Sequence, residues 1–155
     1  MNDSSLFPSN KQPCSEDMSA IYKIPSYILF LVGACDLVRG CMHTFLLKSS
    51  AAHFAKFNMD SVSEDQLFLL GVFGITNFLT GFVYILISLK AKHLSPHILI
   101  LIPSAYLLGL VGIWSSGVHA QAEFNGRYFM FGYFFICILT YIHFLVCRKR
   151  TAASE

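Results

Sequence analysis

The sequence predicts an all-α protein, an integral-membrane bundle of four transmembrane helices with antiparallel neighbours and both termini on one side. Three observations predict it. Only 13% of the 155 residues are charged and 55% are hydrophobic, with a mean hydropathy of +0.58, whereas soluble domains carry about 25% charge. Four apolar stretches, about 27–47, 67–89, 98–118 and 128–146, reach the roughly 20 residues needed to cross a bilayer. Each stretch also carries small or polar residues at helical spacing, the pattern that lets helices pack closely in lipid.

The first span holds Asp36, Arg39 and His43. Spacings of i, i+3 and i+7 put them on one helical face at about 100° per residue. Insertion scales charge about 2.5–3.5 kcal/mol each for a central Asp and Arg, against about 0.3–0.6 kcal/mol gained per Leu, Ile, Val or Phe. The span holds ten such apolar residues, so the sums nearly cancel. It is marginal alone and needs neighbours. Its inward stripe is Gly33, Asp36, Arg39, Gly40 and His43.

On the second span the stripe is Gly71, Gly74, Asn77, Gly81, Tyr84 and Ser88, opened by Ser63, Glu64 and Asp65 as a helix start. Asn77 falls at mid-height, where it is expected to donate to Asp36 and accept from Arg39. The third span offers Ala105, Gly109, Gly112, Ser116 and His119, and the fourth Gly132, Tyr133, Thr140 and His143. All four stripes are expected to face inward. Residues 51–57 are expected to form a short interfacial helix in the longest loop, and the short link 90–96 joins spans two and three as a hairpin.

Seven basic residues (Lys11, Lys23, Lys90, Lys92, Arg148, Lys149, Arg150) flank one side of this layout and three (Lys48, Lys56, Arg127) the other. That asymmetry predicts cytoplasmic termini. Residues 1–25, polar and carrying Pro8 and Pro13, are expected to form a disordered cytoplasmic tail, and 148–155 a basic one. The four-span domain is then 26–147. The first apolar run is too long for a signal peptide and holds central charges, so it is expected to stay as an uncleaved helix.

Chemistry is sparse by motif. No H-E-x-x-H, P-loop, dinucleotide fingerprint, nucleophile elbow or C-x-x-C occurs, so no cofactor and no metal are expected. The scattered cysteines, Cys35, Cys41 and Cys137 among them, read as packing residues. A net charge of +2 with no basic run interleaved with aromatics argues against nucleic acid. The buried polar site is therefore expected at Asp36, Arg39, His43 and Asn77, opening outward, with His119 and Glu123 at its outer mouth. Charges at membrane depth mark functional sites or buried pairs. The expected role is an accessory or ligand-binding membrane protein, taking a lipidic or small polar ligand or assembling with itself or a membrane partner. The alternatives are a proton-coupled carrier acting as an oligomer and, behind it, a membrane enzyme. The layout of four short spans with inward charges is similar to that of several small membrane families, DoxX-like and emopamil-binding proteins among them, but no motif in the chain assigns it to either.

Overall fold

The computed structural model describes residues 21–54, 56–117 and 126–153. These residues form five α-helices and one 3-10 turn, with no strand among them. Helix α1 is Lys23–Thr44, α2 Leu47–His53, α3 Glu64–Lys90, α4 Ser95–Ser115 and α5 Gly126–Ala152; the 3-10 turn Lys92–Leu94 links α3 to α4. All but α2 are long and apolar enough to cross a membrane. At 1.5 Å per residue, the 22 residues of α1 cover about 33 Å.

Local sequence explains the helix ends. Pro25 sits in the first turn of α1, where a missing N–H costs nothing. The helix therefore starts inside the stretch expected to be disordered. Ser63 caps α3 through a capping box: its hydroxyl accepts from the Gln66 amide at 3.2 Å, and Gln66 Oε1 accepts from the Ser63 amide at 3.0 Å. Gly117, at φ +72°, closes α4 in the left-handed conformation that glycine tolerates. α5 runs on through Arg148–Arg150 to Ala152. Long basic side chains suit a helix C-terminus, so the expected basic tail is mostly helix.

Helix α1 is the axis of the bundle. It packs most extensively on α3 and also touches α4 and α5, whereas α3 and α4 barely meet. Glycines set the α1–α3 approach. A Cβ on Gly33 would lie 2.9 Å from the Gly81 carbonyl oxygen, and one on Gly81 would lie 2.8 Å from that of Gly33. Gly40 and Gly74 make the next contact along, where a Gly74 Cβ would stand 2.7 Å from Thr44 Cγ2. The pairs 33–81 and 40–74 run in opposite directions, so the two helices are antiparallel. The Tyr22 and Phe144 rings lie 5.5 Å apart, which puts the start of α1 and the later part of α5 at the same end.

One half of the bundle is a dry core of Leu29, Val32, Leu99, Ile102, Tyr133 and Cys137. At that end Ser26 Oγ lies 3.2 Å from Ser95 Oγ and 3.5 Å from the Lys92 carbonyl oxygen, tying α1 to the turn before α4. Much of the outer surface is Leu, Ile, Phe and Val.

The α4 stripe is a correction. Ala105, Gly109, Gly112 and Ser116 are exposed, and a Cβ on Gly109 or Gly112 would meet nothing within 4 Å. The buried face is instead Ser95, Leu99, Ile102 and Pro103, and burial stops at Pro103. Because α4 is apolar all round, small residues do not choose its inner face; the fit of Leu99 and Ile102 into the dry core does. On α5, Tyr133 and Thr140 face inward as expected, while Gly132 and His143 are exposed. Cys35 and Cys41 are exposed rather than packed, because the opposite face of α1 is taken by its polar stripe.

Candidate functional site

The polar cluster is built where α1, α3 and α5 meet at mid-height. Asp36 is buried and accepts three hydrogen bonds. Arg39 Nη2 donates to Oδ1 at 2.9 Å, one turn along the same helix. Thr80 Oγ1 of α3 donates to Oδ2 at 3.2 Å, and Tyr133 Oη of α5 reaches the same oxygen at 3.4 Å. One carboxylate thus joins three helices.

Arg39 is less well provided. A guanidinium has five N–H donors. Nη2 serves Asp36 and also donates to Asn77 Oδ1 at 3.1 Å. Nη1 has only the Met130 sulfur, at 2.9 Å, and a thioether is a weak acceptor. Nε is buried with no partner, as is Asn77 Nδ2. A buried donor without an acceptor costs about 1–3 kcal/mol, more when charged. The Phe73 ring lies 5.8 Å from Arg39 Cζ and adds a cation–π contact.

Beside this cluster lies a cavity of about 210 Å³. Asp36, Arg39, Asn77 and Thr80 form its polar side, and Tyr84, Ile102, Tyr106, Met130 and Tyr133 are among its apolar walls. The lining residues from α5 and Asp36 from α1 are buried, whereas Phe73 and Thr76 of α3 and Ala105 and Tyr106 of α4 are exposed. The mouth is therefore lateral, in the gap between α3 and α4. Among the described residues its lining opens between these two helices, whereas the sequence led us to expect an opening at the end of the bundle.

The structure brings Asp36, Arg39 and Asn77 together. Asn77 accepts from Arg39 as expected, but Thr80 rather than Asn77 donates to Asp36. His43 stands apart from the cavity. It is buried against α3 and shares a 2.7 Å hydrogen bond with Ser50 Oγ of α2, and its ring lies 5.9 Å from Phe73. The physical reason is the tight turn at residues 45–46, which folds α2 back so that Ser50 reaches the imidazole. The short loop helix expected at 51–57 falls earlier, at Leu47–His53. His119 and Glu123 lie outside the described residues. No group of three or more His, Cys, Asp or Glu side chains able to hold a metal occurs among the described residues.

Ser50 offers a local test of the His43 contact. Ser50→Ala leaves a buried imidazole nitrogen without its partner, at an expected cost of about 1–3 kcal/mol. Thermal unfolding in mild detergent reads that cost. Limited trypsin digestion should also show faster cleavage at Lys48 and Lys56; unchanged cleavage and stability would show that the contact does not anchor α2.

Sequence reasoning missed Thr80, Met130 and Tyr106, and placed Tyr133 on the inward stripe without joining it to Asp36. Thr80 lies three residues after Asn77 and so shares its face, a signal that was present. No family model, curated protein or solved structure matches the chain.

Proposed function

We propose that this chain is a multi-pass membrane protein with cytoplasmic termini, and that it binds one end of an amphipathic ligand between α3 and α4. The observation that carries this reading is the Arg39 guanidinium, left with one N–H on a thioether and another on nothing beside an open cavity. An oxygen acceptor entering from the side displaces the flexible Met130 side chain and takes its place at Nη1. Arg39 is the positioning cation, Asp36 holds it, and Asn77 and Tyr106 flank the bound group.

Volume and shape favour an amphiphile. Sites that enclose whole small molecules run to about 300–1,000 Å³, so 210 Å³ takes a head and leaves the tail along the α3–α4 seam. A lateral mouth suits a ligand that arrives through the bilayer. The dry layer of Leu29, Val32, Leu99 and Cys137 beneath the cluster favours binding over passage of a polar solute through the bundle. The exposed apolar belt and the basic flanks support insertion with this orientation.

The test is co-purification. Wild-type protein taken from membranes in mild detergent should carry about one equivalent per chain of an amphiphile held in this cavity, released by solvent extraction and identified by mass spectrometry as the species that a cavity-filling variant lacks. Ala105→Trp fills the cavity from its α4 wall while keeping both Asp36 and Arg39, and should remove at least nine-tenths of that species. Gly109→Trp, one turn beyond the lining on α4, should leave it in place. If Ala105→Trp carried every amphiphile that wild type carries, in equal amount, the reading would be refuted.

A further inference from the structure

A second pocket lies at the end of the bundle where α1 begins and α3 finishes. It measures about 350 Å³ and is lined by Lys23, Ser26, Tyr27 and Phe30 of α1, Ser88 and Leu89 of α3, and Lys92 of the 3-10 turn. The two lysines are exposed, and neither pairs with an acidic side chain among the described residues. Tyr27, Phe30 and Leu89 are apolar and exposed. From Lys23 to Phe30 the helix climbs seven residues, about 10 Å at 1.5 Å per residue. The groove is therefore cationic at the helix end and apolar further in.

We propose that this groove binds an anionic glycerophospholipid, with the phosphate between the Lys23 and Lys92 ammonium groups and one acyl chain along Tyr27, Phe30 and Leu89. The proposal rests on the insertion and orientation given above, but not on the Arg39 cavity. Charge complementarity selects the occupant. A lysine ammonium is a compact point charge suited to phosphate, and the cytoplasmic leaflet supplies anionic lipid next to basic flanks. The serine hydroxyls are already engaged: Ser88 donates to the Ile85 carbonyl at 2.7 Å, and Ser26 is held by Ser95 and Lys92. Recognition thus falls on two ammonium groups and reads net charge, not headgroup identity. Phosphatidylglycerol and phosphatidylserine should bind alike, and both ahead of phosphatidylcholine.

Native mass spectrometry of the full chain in mild detergent tests this, with phosphatidylglycerol and phosphatidylcholine of matched chains in competition. Wild type should retain phosphatidylglycerol preferentially. Lys23→Gln with Lys92→Gln should weaken that retention about 25-fold, roughly fivefold per lysine, without lowering the unfolding temperature, since both side chains are exposed. Lys149→Gln with Arg150→Gln, which lie outside the pocket, should change it less than twofold. Phe30→Ala should reduce the preference for long over short acyl chains even if the lysine variant proves unstable. Ala105→Trp should leave this binding intact, so the failure of one site is distinguishable from failure of the other. Equal retention by the double lysine variant, or displacement by millimolar inorganic phosphate as readily as by lipid, would overturn the assignment.

Discussion

Asp36→Ala should lose about 3–5 kcal/mol of stability, the usual cost of breaking a buried ion pair from one side. Asp36 is an acceptor for Arg39, Thr80 and Tyr133, so its removal strands a guanidinium and takes this acceptor from the Tyr133 hydroxyl, while Thr80 keeps the Thr76 and Asn77 carbonyl oxygens. At about 2–4 °C per kcal/mol for a chain of this size, the unfolding temperature in mild detergent should fall by roughly 6–20 °C. The informative partner is the double substitution Asp36→Leu with Arg39→Met. Replacing a buried pair by apolar groups of similar volume is often neutral or stabilising. The double variant should therefore unfold near the wild-type temperature yet lose the amphiphile that Ala105→Trp also loses. A fall below about 1 kcal/mol for Asp36→Ala would show that the carboxylate does not hold the three helices together. Full ligand retention by the double variant would remove Arg39 from the binding reading.

This separation of roles also explains which parts of the site were legible. Asp36, Arg39 and His43 share a face by arithmetic on one helix, and the level of Asn77 follows from an antiparallel neighbour of similar length. Both steps are local or nearly so. Tyr133 was another matter. Its meeting with Asp36 joins residues 97 apart in sequence and depends on the register of α5 against α1, which no periodicity within either helix encodes. His43 failed for the opposite reason. Its partner Ser50 is only seven residues away, but the contact needs a turn whose geometry apolar residues such as Phe45 and Leu46 do not announce.

The helix faces divide in the same way. α1 and α3 were readable because glycines mark one side of each, joined by a charge pair on α1 and an amide on α3. On α4 the hydrophobic pattern has no polar contrast, so the small residues were the only mark available, and they lie on the side away from the core. The lateral mouth follows directly from that reversal. With Gly109 and Gly112 outward and burial ending at Pro103, the outer half of α4 leaves the gap beside Thr76 and Tyr106 open.

Gly81→Leu tests that division and should be the most damaging single change on α3. A Cβ at this position already stands 2.8 Å from the Gly33 carbonyl oxygen and 2.8 Å from Leu37 Cδ2. The backbone oxygen cannot swing aside, so α1 and α3 must separate. Overpacking a core commonly costs about 1–3 kcal/mol; here the expected loss exceeds that range, because Thr80 and Asn77 ride on the same face and their bonds to Asp36 and Arg39 open together. Gly81→Ala should show a smaller loss in the same direction. On α4 the sign reverses: Gly109→Ala meets nothing within 4 Å and gains helix propensity worth up to about 1 kcal/mol, so its unfolding temperature should hold or rise. Thermal unfolding of the four proteins in one detergent ranks them directly. If Gly109→Ala were the damaging change and Gly81→Leu were tolerated, α4 would pack inward by its small residues. The lateral mouth beside Arg39 would then be closed.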